Sequence, residues 1–249
     1  MPEHDPIDRK RRAFLGASLG ASGALILGAS PLGRAFAQGK LKIGVIGSGH
    51  IGGTIGGLWV KNGHSVLFSS RHPEELKDMV ASLGQHAQAG TVDQAIAFGD
   101  VLFIAVPYAA LPQIGQDYGA ALKGKILLDA CNATPARDGA PITDEVEKEG
   151  IGVVSQKYLP GTRLVRAFNT MSYMIFAKEA NRPAPKLAIP IAGDDAAAVD
   201  VAAGLVRDAG FDPVVVGKLA DAKRFQRGGP GYGQQVTAAE LRQKLSLTQ

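Results

Sequence analysis

Short apolar runs alternate with amphipathic stretches along most of the chain. Leu41–Ile46, Ser65–Ser69, Val101–Val106, Lys125–Ala130, Leu164–Phe168, Leu187–Ile191 and Pro213–Val216 read as strands. Val101–Val106 and Lys125–Ala130 are continuously apolar at their centres, which predicts burial on both faces of a sheet. Between them lie helical patterns at Ile51–Asn62, Pro73–Leu83, Leu111–Leu122, Met171–Ala180 and Asp195–Ala209, with a terminal one at Thr237–Leu245. Pro73 and Gly84 sit where a helix starts and stops. Thr91 is placed to cap a short helix. Alternating strands and helices with short turns predict an α/β fold: a doubly wound, mostly parallel sheet of Rossmann type in one domain. Ala136–Gly150 reads as an insertion or flexible excursion, and Gly228–Gly233 as a loop.

Residues 1–37 break this pattern. A basic cluster, Arg9-Lys10-Arg11-Arg12, precedes an uncharged stretch from Ala13 to Gly33 and then Ala35-Phe36-Ala37. These are the three regions of an export signal, with Gln38 as the mature start. Arg11-Arg12-Ala13-Phe14-Leu15-Gly16 resembles the twin-arginine motif, and the modest hydrophobicity of the stretch suits that route. A membrane anchor is the competing reading, weakened by the Gly and Ser residues and by Pro31. The expectation is a twin-arginine signal over 1–37, a nucleotide-binding domain over 38–227 and a C-terminal loop and short helix over 228–249. Delivery to the periplasm, folded, by the twin-arginine machinery would follow.

Composition narrows the function classes. Of 249 residues, 27 are basic and 23 acidic; five of the bases and three of the acids lie in the first 37, so the remainder carries a net charge of only +2. No basic stripe with interleaved aromatics remains, so nucleic-acid binding has little support. A single cysteine, Cys131, rules out an intrachain disulfide and any cysteine-cluster metal site. It reads as a small buried hydrophobe rather than a nucleophile.

The chemistry concentrates after the first strand. Gly47-Ser48-Gly49-His50-Ile51-Gly52 is G-x-G-x-x-G set between a strand and a helix. Gly47 permits the tight turn, Gly49 lets a pyrophosphate approach the backbone, and Gly52 lets the helix pack close to the sheet. The helix start offers free N–H groups to the phosphates. An NAD site carries an acidic residue at the end of the second strand, whereas Ser69-Ser70-Arg71-His72 stands there. A hydroxyl and a guanidinium suit a 2′-phosphate, so the cofactor expected is NADP. Val106, Pro107 and Tyr108 follow the third strand pattern and Asn132 the next, where such folds place their crevice. Two readings of Tyr108 stay open: packing beside the nicotinamide, or covering a helix end. Asn132 is a candidate for the ribose or carboxamide.

With these residues in place, the chain resembles the deazaflavin-dependent NADP oxidoreductases over nearly all of residues 41–227. The likeness rests on Lys42–Gly52, on Ser69-Ser70-Arg71 and on Ala105-Val106-Pro107. Two more specific segments are Val165-Arg166-Ala167-Phe168-Asn169-Thr170 and Ile191-Ala192-Gly193-Asp194-Asp195. The resemblance implies that Ser48 to Ile51 hold the pyrophosphate and that Ser70 and Arg71 hold the 2′-phosphate. It places Val106 and Ala167 near the nicotinamide, with Asn169 and Thr170 at the floor of an acceptor pocket. Asn169 and Thr170 also suit a helix cap. In this family hydride passes directly between two stacked rings, so no acid–base side chain is required, and no catalytic triad or carboxylate pair stands out in the chain.

The chain departs from the family in its export signal and after Arg227. The acceptor expected is thus a deazaflavin, a flavin or a small carbonyl or imine, and a homodimer is compatible with the reading. An imine reductase would need a C-terminal helical dimerisation domain, too large for the residues after Val216. A non-catalytic NADP-binding sensor, or a partner of an exported redox complex, is the reading from another class.

Overall fold

A computed structural model of the chain describes residues 39–247. The signal expected over 1–37 lies outside the described residues. Eight strands form one sheet in the order β3-β2-β1-β4-β5-β6-β7-β8. They are β1 (Lys42–Ile46), β2 (Ser65–Ser69), β3 (Ala87–Gly90), β4 (Val101–Ile104), β5 (Ile126–Asp129), β6 (Arg163–Arg166), β7 (Ala188–Gly193) and β8 (Asp212–Gly217). All pair in parallel except β6 with β7. The first six strands have the doubly wound order, in which the strand order reverses between β1 and β4 and opens a crevice at their carboxyl ends.

Helices cover both faces: α1 (His50–Lys61), α2 (Lys77–Leu83), α3 (Val92–Phe98), α4 (Leu111–Leu122), α5 (Pro135–Asp138), α6 (Ala140–Glu149), α7 (Ile151–Tyr158), α8 (Tyr173–Glu179), α9 (Ala196–Asp208) and α10 (Ala238–Lys244). Among the described residues no helix is long and apolar enough to cross a membrane. β4 and β5 are buried at every position, as their apolar runs require. The sheet separates two cores. On one side Trp59, Phe103, Phe168, Phe176 and Phe211 form a chain of edge-to-face rings with centroids 5.1–6.2 Å apart. Trp59 also donates its Nε1–H to the Leu205 carbonyl at 2.8 Å, fixing α1 against α9. On the other side Leu102, Ile104, Leu127, Val154 and Leu164 pack with Leu241 and Leu245.

Three sequence expectations change. The Pro73–Leu83 pattern is a 3₁₀ turn over Pro73–Leu76 followed by α2. Ala136–Gly150 is not a flexible excursion. It lies in α5 and α6 and runs into α7, because Gly139 and Gly150, both at positive φ, end one helix and begin the next, while Thr143 and Val146 face the core. The segment after residue 228 is tied to the sheet: the Val236 carbonyl accepts from the Ala188 N–H at 2.9 Å, and Leu241 is fully buried. Asn169 and Thr170 do not cap the next helix. Its N-cap is Ser172, which makes no side-chain cap bond.

Candidate functional site

β1 delivers the fingerprint to the crevice. Gly47 has φ +93°, and a Cβ there would meet the Ala105 carbonyl oxygen at 2.6 Å. At Gly52 a Cβ would lie 1.9 Å from the Gly47 oxygen, so α1 reaches the turn only because side chains are missing. Gly49 differs: a Cβ there would meet nothing within 4 Å. It would project into open space, where a pyrophosphate approaches the backbone in this motif. Gly49 is the N-cap of α1 and no side chain bonds the helix start, so the N–H groups of His50 and Ile51 face outward unclaimed. The residues present therefore fit a dinucleotide.

The neighbouring strand end, that of β2, carries the residues expected to meet the 2′-phosphate. Ser48 donates its hydroxyl to the Ser69 carbonyl at 3.0 Å, and Ser69 donates to the Val45 carbonyl at 2.8 Å. Ser70 is half-buried and accepts from the His72 N–H at 3.0 Å. Arg71 is exposed and in no ion pair among the described residues. His72 bonds Glu74 across the turn, 3.3 Å, and so serves the turn itself.

Beyond β1, the carboxyl ends of β4, β5 and β6 carry the other predicted residues. Val106 is half-buried and Pro107 exposed. The Val106 N–H donates to Cys131 Sγ at 3.4 Å. Burial pushes the Cys131 thiol well up, with the Asp129 charge adding to it, so this sulfur is a packing group joining two strand ends. Tyr108 turns away from the crevice: it is fully buried, donates to the Ile151 carbonyl at 3.2 Å and bonds Ser155 at 3.0 Å. That decides between its two readings in favour of the helix end. Ala167 is also fully buried, so it lies beneath the crevice rather than on its surface.

Asn132 and Asn169 form one unit. The Asn132 amide donates to the Asn169 carbonyl at 2.6 Å, and the Asn169 amide donates to the Phe225 carbonyl at 3.2 Å. Asn169 Oδ1 and the Thr170 hydroxyl are buried and have no partner. The Gly233 N–H reaches the Thr170 carbonyl at 3.0 Å, which pins the glycine loop over this turn. The turn itself depends on Phe168, whose φ of +58° sends its ring into the aromatic core while the chain reverses.

Two supports escaped the sequence reading. Arg166 and Asp129 form a fully buried ion pair, and Arg166 also donates to the Cys131 carbonyl at 2.6 Å while Asp129 accepts from the Cys131 N–H at 2.8 Å. The pair fixes the turn that carries Asn132. Asp138 accepts from the Ala109 and Thr134 N–H groups at 3.0 and 2.8 Å and so holds the loop after β4. Burial alone would raise its carboxyl, but Arg137 and these N–H donors hold it below the usual range. Beside Asn132, a cavity of about 270 Å³ opens between Ala133, Val146, Ile151 and Arg227.

Comparison with known proteins agrees with this geometry. Residues 42–133 match the family model described as NADP oxidoreductase, coenzyme F420-dependent. The rat metalloreductase STEAP3 is 29% identical over 192 residues, which cover 74% of this chain and 36% of that protein. The Escherichia coli K12 protein YjhV is 42% identical over 62 residues, 25% of this chain and 45% of that one. The matches thus span less than half the length of either relative. Among solved structures, the hypothetical protein SMa0349 of Sinorhizobium meliloti superposes with a TM-score of 0.68 at 24% identity, covering 82% of this chain and 98% of that one. A protein of Arthrobacter sp. FB24 assigned as an F420-dependent NADP reductase gives 0.62 at 23% identity, over 74% and 87%. Fold, fingerprint and matched segment define a Rossmann sheet similar to those of NADP-dependent oxidoreductases. The segment from Lys42 to Ala133 is similar to the coenzyme F420-dependent NADP oxidoreductases.

Proposed function

We propose that the protein transfers hydride directly between NADP(H) and an acceptor. The acceptor is a deazaflavin or flavin ring, or a small carbonyl or imine. The observation that carries this is the union of the fingerprint with a strand end bearing Ser70 and Arg71 and no carboxylate. Bound NADPH would supply the hydride. The chain's own residues do the holding: N–H groups of Ser48 to Ile51 take the diphosphate, Ser70 and Arg71 the 2′-phosphate, and Val106, Pro107, Asn132 and Asn169 border the nicotinamide half. The acceptor reaches the same place from the cavity beside Ala133. For a deazaflavin or flavin ring the site's task is proximity and alignment, with the accompanying proton taken from solvent; a carbonyl or imine acceptor would take its proton from solvent as well. Turnover with a panel of flavins, deazaflavins, carbonyls and imines tests the reading. NADPH binding without hydride transfer to any of them would replace it with a sensor.

We also infer export by the twin-arginine route to the periplasm, on the strength of Arg11-Arg12 and the stretch that follows. That route carries folded proteins, and free NADP is not expected outside the cytoplasm. The cofactor is then loaded before export and retained. Mass spectrometry of periplasmic protein would find NADP(H); empty protein would sink the idea of retention.

A further inference from the structure

The fingerprint residue His50 has a partner that its sequence position does not suggest. Its imidazole lies flat on the ring of Tyr173, with centroids 4.3 Å apart and planes within 11°. His50 is the first residue of α1 and exposed; Tyr173 is the first residue of α8 and half-buried. The stack therefore joins the two elements that leave β1 and β6 at the crevice. It is not core packing, because one of its rings stands in solvent. The Tyr173 hydroxyl makes no hydrogen bond among the described residues and is not a buried atom, so it is open to a ligand. Its place is also fixed from below. Phe168 and Phe176, on either side of it in sequence, are both locked in the aromatic core at a centroid distance of 5.8 Å. The phenol is thus a pre-set donor beside the helix start that faces the diphosphate.

We propose that Tyr173 is a cofactor-binding residue. Its hydroxyl donates to an oxygen on the nicotinamide side of the dinucleotide, the ribose or the nearer phosphate, and His50 holds the phenol in that pose by stacking. The side follows from the sheet order. β2, whose end carries Ser70 and Arg71, flanks β1 on one side, whereas the segment leading to Tyr173 leaves β6, three strands away on the other. Tyr173 is thus on the opposite side of the fingerprint from the 2′-phosphate. The inference rests on the NADP reading and deepens it.

Calorimetric titration of the full chain with NADPH and with 2′,5′-ADP tests it, since the second probe lacks the nicotinamide, its ribose and the phosphate nearest it. Tyr173→Phe keeps the ring and removes the donor. Its Kd for NADPH should rise about tenfold, with the Kd for 2′,5′-ADP and the thermal midpoint unchanged, the scale of one hydrogen bond to a charged or strongly polar group. Tyr173→Leu and His50→Ala should weaken NADPH further and still spare 2′,5′-ADP. Adding Tyr173→Phe to His50→Ala should cost little more, because the two rings act as one unit. Unchanged NADPH affinity in Tyr173→Phe and Tyr173→Leu, with Arg71→Ala weakening both probes, would overturn this inference and leave the NADP site intact. Failure of the unaltered chain to bind either probe would remove both.

Discussion

Ser48 donates its hydroxyl to the backbone carbonyl of Ser69 at 3.0 Å, and this bond joins the fingerprint loop to the end of β2. One residue belongs to the loop that cradles phosphates; the other ends the strand that leads to Ser70 and Arg71. On the proposed function, this bond holds the register between the diphosphate and 2′-phosphate positions before any ligand arrives. Ser48→Ala should lower the unfolding free energy by about 0.5–1.5 kcal/mol and weaken NADPH binding by a similar amount. Chemical denaturation and calorimetry measure the two; an effect on neither would show that the bond does not set the register.

The glycines of the fingerprint should separate cleanly by what surrounds them. Gly52→Ala places a methyl against the Gly47 backbone oxygen and should cost about 1–3 kcal/mol of stability. Gly49→Val adds its side chain to open space, so the thermal midpoint should stay near that of the parent while nucleotide affinity falls roughly tenfold or more. A Gly49→Val protein that binds NADPH normally would remove the diphosphate from this position.

The buried pair of Arg166 and Asp129 predicts an asymmetry. Arg166→Ala leaves an uncompensated carboxylate in the core and should destabilise by about 3–5 kcal/mol. Replacing both partners with apolar residues of similar volume, Arg166→Met with Asp129→Leu, should recover much of that loss. Equal damage in the single and double variants would mean that the pair's bonds to Cys131, rather than its charges, do the holding.

His64 gives the fold a defined acid dependence. Burial lowers its pKa below the ordinary 6.5, against the opposing pull of Asp208. Its Nδ1 accepts from the Leu41 N–H at 3.0 Å, so the neutral ring with its proton on Nε2, facing Asp208 at 2.9 Å, is the form that fits. The folded pKa is depressed, so this contribution is complete above pH 6.5 and is lost as pH falls below it through the folded value. Urea midpoints measured from pH 8 downward should drop below about pH 6.5 in the parent and drop less in His64→Gln. Parallel curves would assign the acid sensitivity elsewhere.

Much of this was legible in the chain because the signals are local. The fingerprint needs only a strand, three glycines and a helix start, and each has a steric reason visible in sequence. The same holds for Thr91, which caps α3 as expected and also forms a capping box with Gln94. β3 was missed because Ala87-Gln88-Ala89-Gly90 has no apolar run; it is an edge strand recruited by pairing with β2. The antiparallel turn of β7 depends on pairing across the sheet, which no window of sequence reports. In the site, the Asn132–Asn169 bond, the Arg166–Asp129 pair and the His50–Tyr173 stack all join residues far apart in the chain. The Val165–Thr170 motif marked the place without saying that Phe168 anchors it.

The central claim is that the site selects NADP through Arg71. It is tested most directly by measuring the affinities of the parent chain and Arg71→Ala for NADPH and NADH by calorimetry. The account predicts that the parent prefers NADPH and that Arg71→Ala loses about 1.5–3 kcal/mol of NADPH binding with little change for NADH. Equal losses for both nucleotides, or a parent that binds NADH as well as NADPH, would contradict it.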